Sequence, residues 1–498
     1  MRLSYIEILK LAAPETIVVI TALTVLALDL TTTRGMETRL RFITGGMLSC
    51  LGCLAALAWL VVLPTQGDLP GGMLVADPLT ACVKMGLLGL TIFTVLVSMN
   101  GNFTKHVGEY LALILLATVG MMFLVSAEDV LMIFVALELT SLSLYILTAF
   151  NKHNIKSAEA ALKYFLFGGM AAAFTLFGLS LLYGLSGSTN LHGIAAALAG
   201  KGLDPLLIIA IVMTVTGFGF KVAAVPFHLW APDAYQGAPT PSAAFIASGS
   251  KLASFFIFAK IMMIGFAGSE GMGGWRHFAA GWVPVIAIAA ALSMILGNLV
   301  ALVQGSVKRL LSYSAIAHAG YMLLGVLSHS GQSMASLIYY ALTYGITTIG
   351  AFGVVALVEE RAGDDKLTSF AGLSRRAPIV SFCMMIFMLS LAGIPPLAGF
   401  FGKFYVFYAA VNSGSQTLGL LWLVVLAIAM SAVSLYYYLM VLKQIYVADV
   451  PAQPPQTEEV SVVAQAVLCV LAALTVLLGC FPNLLVARLT EIIGMVGY

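Results

Sequence analysis

The chain has 498 residues, 61% hydrophobic and only 9% charged, with a formal net charge of +2 and a mean hydropathy of +1.02. A water-soluble protein carries roughly 25% charged residues, so this much apolar surface cannot all be hidden in a soluble core. The near-zero net charge offers no basic field for nucleic acid. The expected fold class is all-α, a polytopic membrane protein.

The first stretch, MRLSYIEILKLAAPE, carries charges at its head, and Pro14 and Glu15 interrupt it before an apolar region forms. No cleaved signal peptide is expected. Apolar runs bounded by Gly, Pro, Asn or charge then give about fourteen transmembrane spans. They lie near 12–30, 42–63, 77–99, 109–126, 130–149, 157–185, 205–227, 241–267, 282–304, 310–328, 334–358, 378–410, 418–446 and 460–482. Runs of this length read as helices, because in hydrocarbon each backbone polar group must find its partner within the segment. The connections are short and leave no room for a sizeable soluble domain. Cys50 and Cys53 form a CxxC inside the second span. With no second pair nearby, small residues in a helix are the reading, rather than a redox or zinc site.

Basic loop residues set the orientation. Loops after odd-numbered spans hold Arg34, Arg39, Arg41, Lys105, Lys152, Lys156, Lys308, Arg309, Arg361, Lys366, Arg375, Arg376 and Lys443. The other side, with both termini, holds Arg2, Lys10, Lys201, Arg276 and Arg488. The odd loops are therefore expected in the cytoplasm and both termini outside. Lys84, Lys163, Lys221, Lys251, Lys260 and Lys403 remain within spans, and Glu138 is the acid nearest the middle of one.

A weak internal repeat is visible. SAEAALKYFLF (157–167) aligns with SMASLIYYALT (333–343), and Lys221 and Lys403 fall at a similar offset. That offset corresponds to five spans, which would invert the second copy across the membrane, a recurring transporter plan. The expected organisation is an N-terminal three-helix segment (1–100), two inverted five-helix repeats (109–267, spans 4–8; 282–446, spans 9–13) and a C-terminal helix (460–498).

A charge in hydrocarbon costs at least ~2.5–3.5 kcal/mol on insertion scales, so intramembrane ionisable groups usually face the bundle interior or a wet cavity. Burial disfavours a charged lysine, while a nearby carboxylate or water restores it. A buried lysine can thus be switched by a small change beside it, which suits a proton relay. Lys221 lies in FGFKVAAVPFHLWAPDAYQGAPTP, where Pro226, Pro232, Pro239 and Pro241 break the seventh span. Lys251 falls near mid-depth in the eighth. Glu138, with Ser141 and Tyr145 at i+3 and i+7, forms a polar stripe on the fifth. Lys163 is a further candidate that could also snorkel, while Lys84 and Lys260, near span ends, are expected to snorkel. His228 and His318 stand between a satisfied core histidine and a titrating relay group. Asp233 is expected in a loop, capping a helix or pairing with a lysine. In LAGIPPLAGFFGKFY (391–405), Gly393, Pro395 and Pro396 remove backbone hydrogen bonds beside Lys403. An interrupted helix with room for water is expected there. No Walker loop, GxGxxG, cysteine cluster or His/Glu metal spacing stands in a solvent-facing stretch. The chain is expected to hold no NAD, flavin, iron–sulfur or metal site of its own.

The runs GFKVAAVPFHLWAPDAYQGAPTPSAAF, SGSKLASF, VKRLLSYSAIAHAGYMLLG and LSLAGIPPLAGFFGKFYVF resemble the antiporter-like membrane subunits of respiratory complex I, the NADH–quinone oxidoreductase. The resemblance runs over nearly the whole chain and is strongest to the subunit N branch, the counterpart of mitochondrial subunit 2. Ser250-Lys251 stands where the L and M branches usually carry a leucine–histidine pair, and no long lateral C-terminal helix follows. The resemblance implies that Glu138 pairs with Lys221, that Lys251 is the central relay and that Lys403 is the terminal proton donor or acceptor. It matches Lys163 to a sixth-helix lysine and sets His318 between the two halves. It also implies FMN, iron–sulfur clusters and quinone in partner subunits rather than here. The implied neighbours are subunits M, K, J, A and H and membrane lipid, in a bacterial inner membrane. Rival readings are an Mrp-type cation/proton antiporter subunit, a hydrogenase membrane subunit, and a cofactor-free scaffold. The row of mid-membrane lysines argues against the scaffold.

Overall fold

Hydrocarbon supplies no partner for an open backbone, so the long apolar segments close their hydrogen bonds internally as helices. Among the described residues of this computed structural model (5–63, 66–275, 278–413, 419–449 and 461–496), thirteen helices are long and apolar enough to cross a bilayer. We number the helices α1 (Ala13–Thr31), α2 (Thr38–Val62), α3 (Pro78–Ser98), α4 (Val107–Ser126), α5 (Val130–Thr148), α6 (Ile155–Ser186), α7 (Pro205–Val222), α8 (Trp230–Gly237), α9 (Thr240–Ala247), α10 (Gly249–Lys260), α11 (Trp282–Ala301), α12 (Val307–Leu327), α13 (Gly331–Ala362), α14 (Pro378–Ala392), α15 (Ala398–Asn412), α16 (Leu421–Tyr446), α17 (Val462–Cys480) and α18 (Asn483–Val496). α9 and α10 together make one of the thirteen crossings. α14 and α15 make the remaining expected span as two half-helices of 15 residues each.

The seventh and twelfth spans are broken, as the proline and glycine content requires. α7 stops at Val222, five residues short of the expected boundary, and the chain turns through Ala223 at φ 59°. α14 stops at Gly393, φ 87°, a left-handed conformation in which glycine lacks the Cβ penalty. The eighth span departs from expectation. It is interrupted at Ser248 (φ −115°, ψ −79°) and ends in a π-helical turn, Ile261–Gly265. Ser248 directs its hydroxyl to the carbonyl of Ala244, 2.7 Å away. A serine that bonds its own backbone in this way competes with the helical ladder and often bends it.

α13 is the axis of the bundle. It packs against α9, α10, α12, α14, α15 and α17, and most of its side chains are buried. Tyr339 donates to the Leu478 carbonyl at 2.8 Å, tying α13 to α17. At Gly345 an added Cβ would lie 3.0 Å from Leu90 and 3.4 Å from Ser248, so the missing side chain lets α13 close onto the eighth-span break. Among the described residues the loops contain little structure of their own: two short antiparallel pairs, Gly67–Asp68 with Val75–Ala76 and Met272–Gly273 with Phe278–Ala279, the short helices Leu191–Leu198 and Leu373–Arg376, and the 3-10 turns Pro70–Gly72 and Leu367–Phe370. Arg2 and Arg276, counted in the orientation argument, lie outside the described residues.

Lys84 and Lys260 do not snorkel. Lys84 is enclosed and pairs with Glu15 of α1 at 2.6 Å. Lys260 is fully buried and pairs at 2.8 Å with Glu128 in the α4–α5 connection. Proximity to a span end invited the snorkelling expectation. Surrounding helices cover both lysines, and a carboxylate from a distant segment meets each inside the protein.

Candidate functional site

Apart from the Lys84–Glu15 and Lys260–Glu128 pairs, the candidate relay residues of the interior fall into two groups. The first lies where α5 meets the broken end of α7. Lys221, in the last turn of α7, donates to the Ser141 hydroxyl at 2.5 Å and stands 3.9 Å from Glu138. The polar stripe of α5 therefore presents both Glu138 and Ser141 to one ammonium. The nearer contact is the hydroxyl, and Glu138 Oε1 is buried without a hydrogen-bond partner. The ion pair is loose, a geometry open to rearrangement.

The α7 break is satisfied locally. Ala224 N bonds the Gly219 carbonyl at 2.8 Å, Trp230 Nε1 bonds the Phe220 carbonyl at 2.9 Å, and Val225 N bonds Ser293 Oγ at 2.8 Å. His228 is buried at this break, and its Nδ1 makes no hydrogen bond. Its position stands apart from the lysine partners described below.

The second group fills the space among α10, α11, α12, α13, α14, α15 and α16. Lys251 is 2% exposed; its ammonium donates to the Ala315 carbonyl of α12 and lies over the Tyr344 ring, 5.5 Å from the centroid. The Tyr344 ring in turn lies 4.9 Å from that of His318. His318 bonds Tyr340 through Nδ1 at 2.8 Å and Tyr438 through Nε2 at 3.2 Å, and Tyr438 bonds Ser314. Lys403 closes the series. It donates to the carbonyls of Leu391 and Ala392, both at 3.0 Å, and to Ser431 Oγ at 2.8 Å. It also sits 5.1 Å above the Tyr321 ring. Tyr321 is held through Asn298 at 3.0 Å, which accepts from Tyr437 at 3.0 Å.

The break beside Lys403 was expected to open space for water. At that break the lysine itself takes up the carbonyls that the break released. They form the C-terminal end of α14, where the helix dipole and unpaired carbonyls favour a cation. Gly399 N uses Ser390 Oγ at 3.1 Å, so the other side of the break is closed by a hydroxyl.

Lys163 is placed differently from the other candidates. It is 41% exposed and bonded to Glu159 at 2.7 Å and Asp233 at 2.8 Å, and Asp233 also holds Arg309 at 3.0 Å. The expected lysine partner of Asp233 is thus Lys163, within a rim network outside the two interior groups. Sequence reasoning did not single out Tyr321, Tyr340, Tyr344, Tyr438 or Ser431. The i, i+4 spacing of Tyr340 and Tyr344 in YYALTYG was the available signal, since two phenols on one face of a buried helix need polar partners.

Residues 127–431 match the family described as NADH:quinone oxidoreductase/Mrp antiporter, TM. The chain is 53% identical over 491 residues to NADH-quinone oxidoreductase subunit N 2 of Acidobacterium capsulatum, covering 97% of this chain and 98% of that one. Among solved structures it is similar to a chain of respiratory complex I from Thermus thermophilus, with TM-score 0.78 and 33% identity over 96% and 99% of the two chains. It also shares its fold with a chain of the Mrp complex from Dietzia, with TM-score 0.81 and 20% identity over 98% and 97%.

Proposed function

We propose a proton-relay role for this chain, which belongs to the NADH-quinone oxidoreductase subunit N family. As a membrane-arm subunit of that oxidoreductase, respiratory complex I, it moves protons while electrons pass from NADH to quinone in other subunits. The enzyme activity belongs to the whole complex, and FMN, iron–sulfur clusters and the quinone site are assigned to its partner subunits. The neighbouring antiporter-like subunit M and subunits K, J, A and H are its proposed partners, with lipid on the outward faces. The membrane is the bacterial inner membrane, with the loops after odd spans in the cytoplasm and both termini periplasmic. The excess of basic residues in the odd loops supports that orientation.

One observation carries the relay reading. Among the described residues, every interior lysine with a structural role has a carboxylate within 2.8 Å, as Lys84 and Lys260 do. Lys251 and Lys403 are as deeply buried, yet each rests on carbonyls, a hydroxyl or an aromatic ring. A buried cation without a counterion is costly, and such a site favours release of its proton more than an ion pair does. A scaffold gains nothing from that arrangement.

The geometry supports the following proposed steps. A change of charge or hydration at the edge of the subunit alters the loose Glu138–Lys221 contact. Once Lys221 shifts toward or away from Glu138, the field at Lys251 changes and Lys251 releases its proton. The Tyr344–His318–Tyr340 cluster lies between Lys251 and Lys403; His318 can accept at one ring nitrogen while donating from the other. Lys403 receives the proton and passes it to the outer face. The test uses the assembled complex in proteoliposomes, measuring protons moved per NADH oxidised. Lys251→Ala and Glu138→Ala are each expected to lower pumping through this subunit roughly a hundredfold, the lower range for a positioned proton-transfer group. Normal pumping per electron in both variants would end the relay reading.

A further inference from the structure

Proton uptake from the cytoplasm is the step that the two interior groups leave without a residue. A cavity of about 410 Å³ opens on the side of the odd-numbered loops, lined in part by Asn154, Gln236, Thr240, Lys308, Glu359 and Leu468. Glu359 lies near the C-terminal end of α13, partly exposed, and pairs at 2.7 Å with the buried Lys308 in the first turn of α12. It also accepts from the Thr240 hydroxyl at the start of α9. A carboxylate facing a cavity large enough for several waters on one side and the bundle on the other is a natural proton acceptor.

α13 continues inward from Glu359 toward the relay. Val355, Phe352, Thr348 and Tyr344 follow at helical spacings of three or four, so all five residues share one face. Tyr344 is the ring beneath the Lys251 ammonium, and Thr348, one turn away on the same face, has a buried hydroxyl with no hydrogen-bond partner. Beside them, on α8, Tyr235 packs edge-on against Phe352, with centroids 6.1 Å apart. Tyr235 is fully buried, its hydroxyl has no hydrogen-bond partner, and the next residue, Gln236, lines the cavity. Buried hydroxyls are almost always satisfied, and an orphan needs an explanation such as a water site. A hydroxyl between a wet cavity and a relay lysine has one if water reaches it.

We infer that Glu359 is the cytoplasmic proton acceptor of this subunit, delivering to Lys251 along Tyr235, Thr348 and Tyr344. The inference rests on the relay reading above and supplies its uptake side. Glu359 takes a proton from cavity water and releases Lys308 from the ion pair. Each water or hydroxyl on the way accepts one proton and donates another, ending unchanged, and the proton finishes on the neutral amine of Lys251. Glu359 returns to its carboxylate form and re-pairs with Lys308. No redox partner is required.

The experiment measures protons per NADH in proteoliposomes for the assembled complex. Glu359→Gln is expected to cut pumping through this subunit roughly a hundredfold, while Glu359→Asp retains most of it. Because Glu359→Gln also leaves Lys308 unpaired, the double variant Glu359→Gln/Lys308→Met separates transfer from structure. Pumping stays low in the double variant if the carboxylate is the acceptor. Recovery there would assign the pair a purely structural role and overturn the inference. Tyr235→Phe, which removes only the orphaned hydroxyl, is expected to slow pumping severalfold, and wild-type rates would remove it from the path. Lys251→Ala runs alongside. If Lys251→Ala fails to pump while Glu359→Gln pumps normally, the uptake route falls and the relay stands. If both pump normally, the relay reading itself falls.

Discussion

Lys403 illustrates how much a single side chain can settle about a broken helix. Its ammonium reaches back eleven and twelve residues to the Ala392 and Leu391 carbonyls and forward to Ser431 on α16. The lysine is thus the cap of the half-helix before it, in addition to the relay role proposed for it. Its stem and ammonium crowd Gly393, where an added Cβ would lie 3.1 Å from Lys403 Cδ and 3.2 Å from Nζ, and the backbone there has φ 87°. Gly393→Ala therefore meets a strained conformation and a tight contact together. It is expected to destabilise the subunit by about 1–3 kcal/mol and to displace the Lys403 ammonium. Thermal unfolding of the purified complex and proton pumping should both fall; an unchanged melting temperature with full pumping would contradict this account. The lysine was legible in the sequence as the one charge on a glycine- and proline-rich apolar run. Its partners were not, because backbone carbonyls are present at every position and Ser431 is one of many serines.

At the scale of elements, the breaks in the seventh and twelfth spans were legible and the break in the eighth was not. Proline and glycine remove or loosen hydrogen bonds wherever they stand, so they mark a break without knowledge of the neighbours. Ser248 carries no such prohibition. Its break rests on a serine hydroxyl taking the Ala244 carbonyl and on the close approach of Gly345 from α13, a contact between residues ninety-seven positions apart (248 and 345). The buried ion pairs were missed for the same reason. Lys84 on α3 and Glu15 on α1 are 2.6 Å apart, and only the fold, which seats both helices against α2 and α4, brings them together. Breaking such a pair is costly and replacing both members is much less so. Lys84→Met alone and Glu15→Gln alone are each expected to cost about 3–5 kcal/mol. The double variant Lys84→Met/Glu15→Leu should recover most of that in thermal unfolding, with proton pumping near wild type. A double variant that stayed folded and failed to pump would instead put this pair in the relay.

For the whole molecule, the direction of transport depends on which face carries the uptake cavity. The cavity that holds Glu359 and Lys308 opens among connections that follow odd-numbered spans, the side richer in lysine and arginine in the sequence. Lys403 sits on α15 against α14 and α16, Glu138 and Lys221 on α5 and α7, and Lys251, Tyr344, His318 and Tyr340 follow one another in contact. Uptake on one face, lateral transfer at mid-depth and release on the other follow only if the basic loops are cytoplasmic. Composition bounded this arrangement early, since spans and loop charge are local properties of the chain. The lateral connection came only from the fold, because its residues are drawn from α10, α12, α13, α14, α15 and α16. Orientation is therefore the measurement on which the direction turns. A single cysteine placed at Lys152, in a chain whose six native cysteines are replaced, should resist a membrane-impermeant maleimide added to intact spheroplasts and react in inverted vesicles. A cysteine at Lys201, in the connection that follows an even-numbered span, should show the opposite pattern. Labelling of Lys152→Cys from outside would reverse the topology, place Glu359 at the release face and make Lys403 the first group to be loaded.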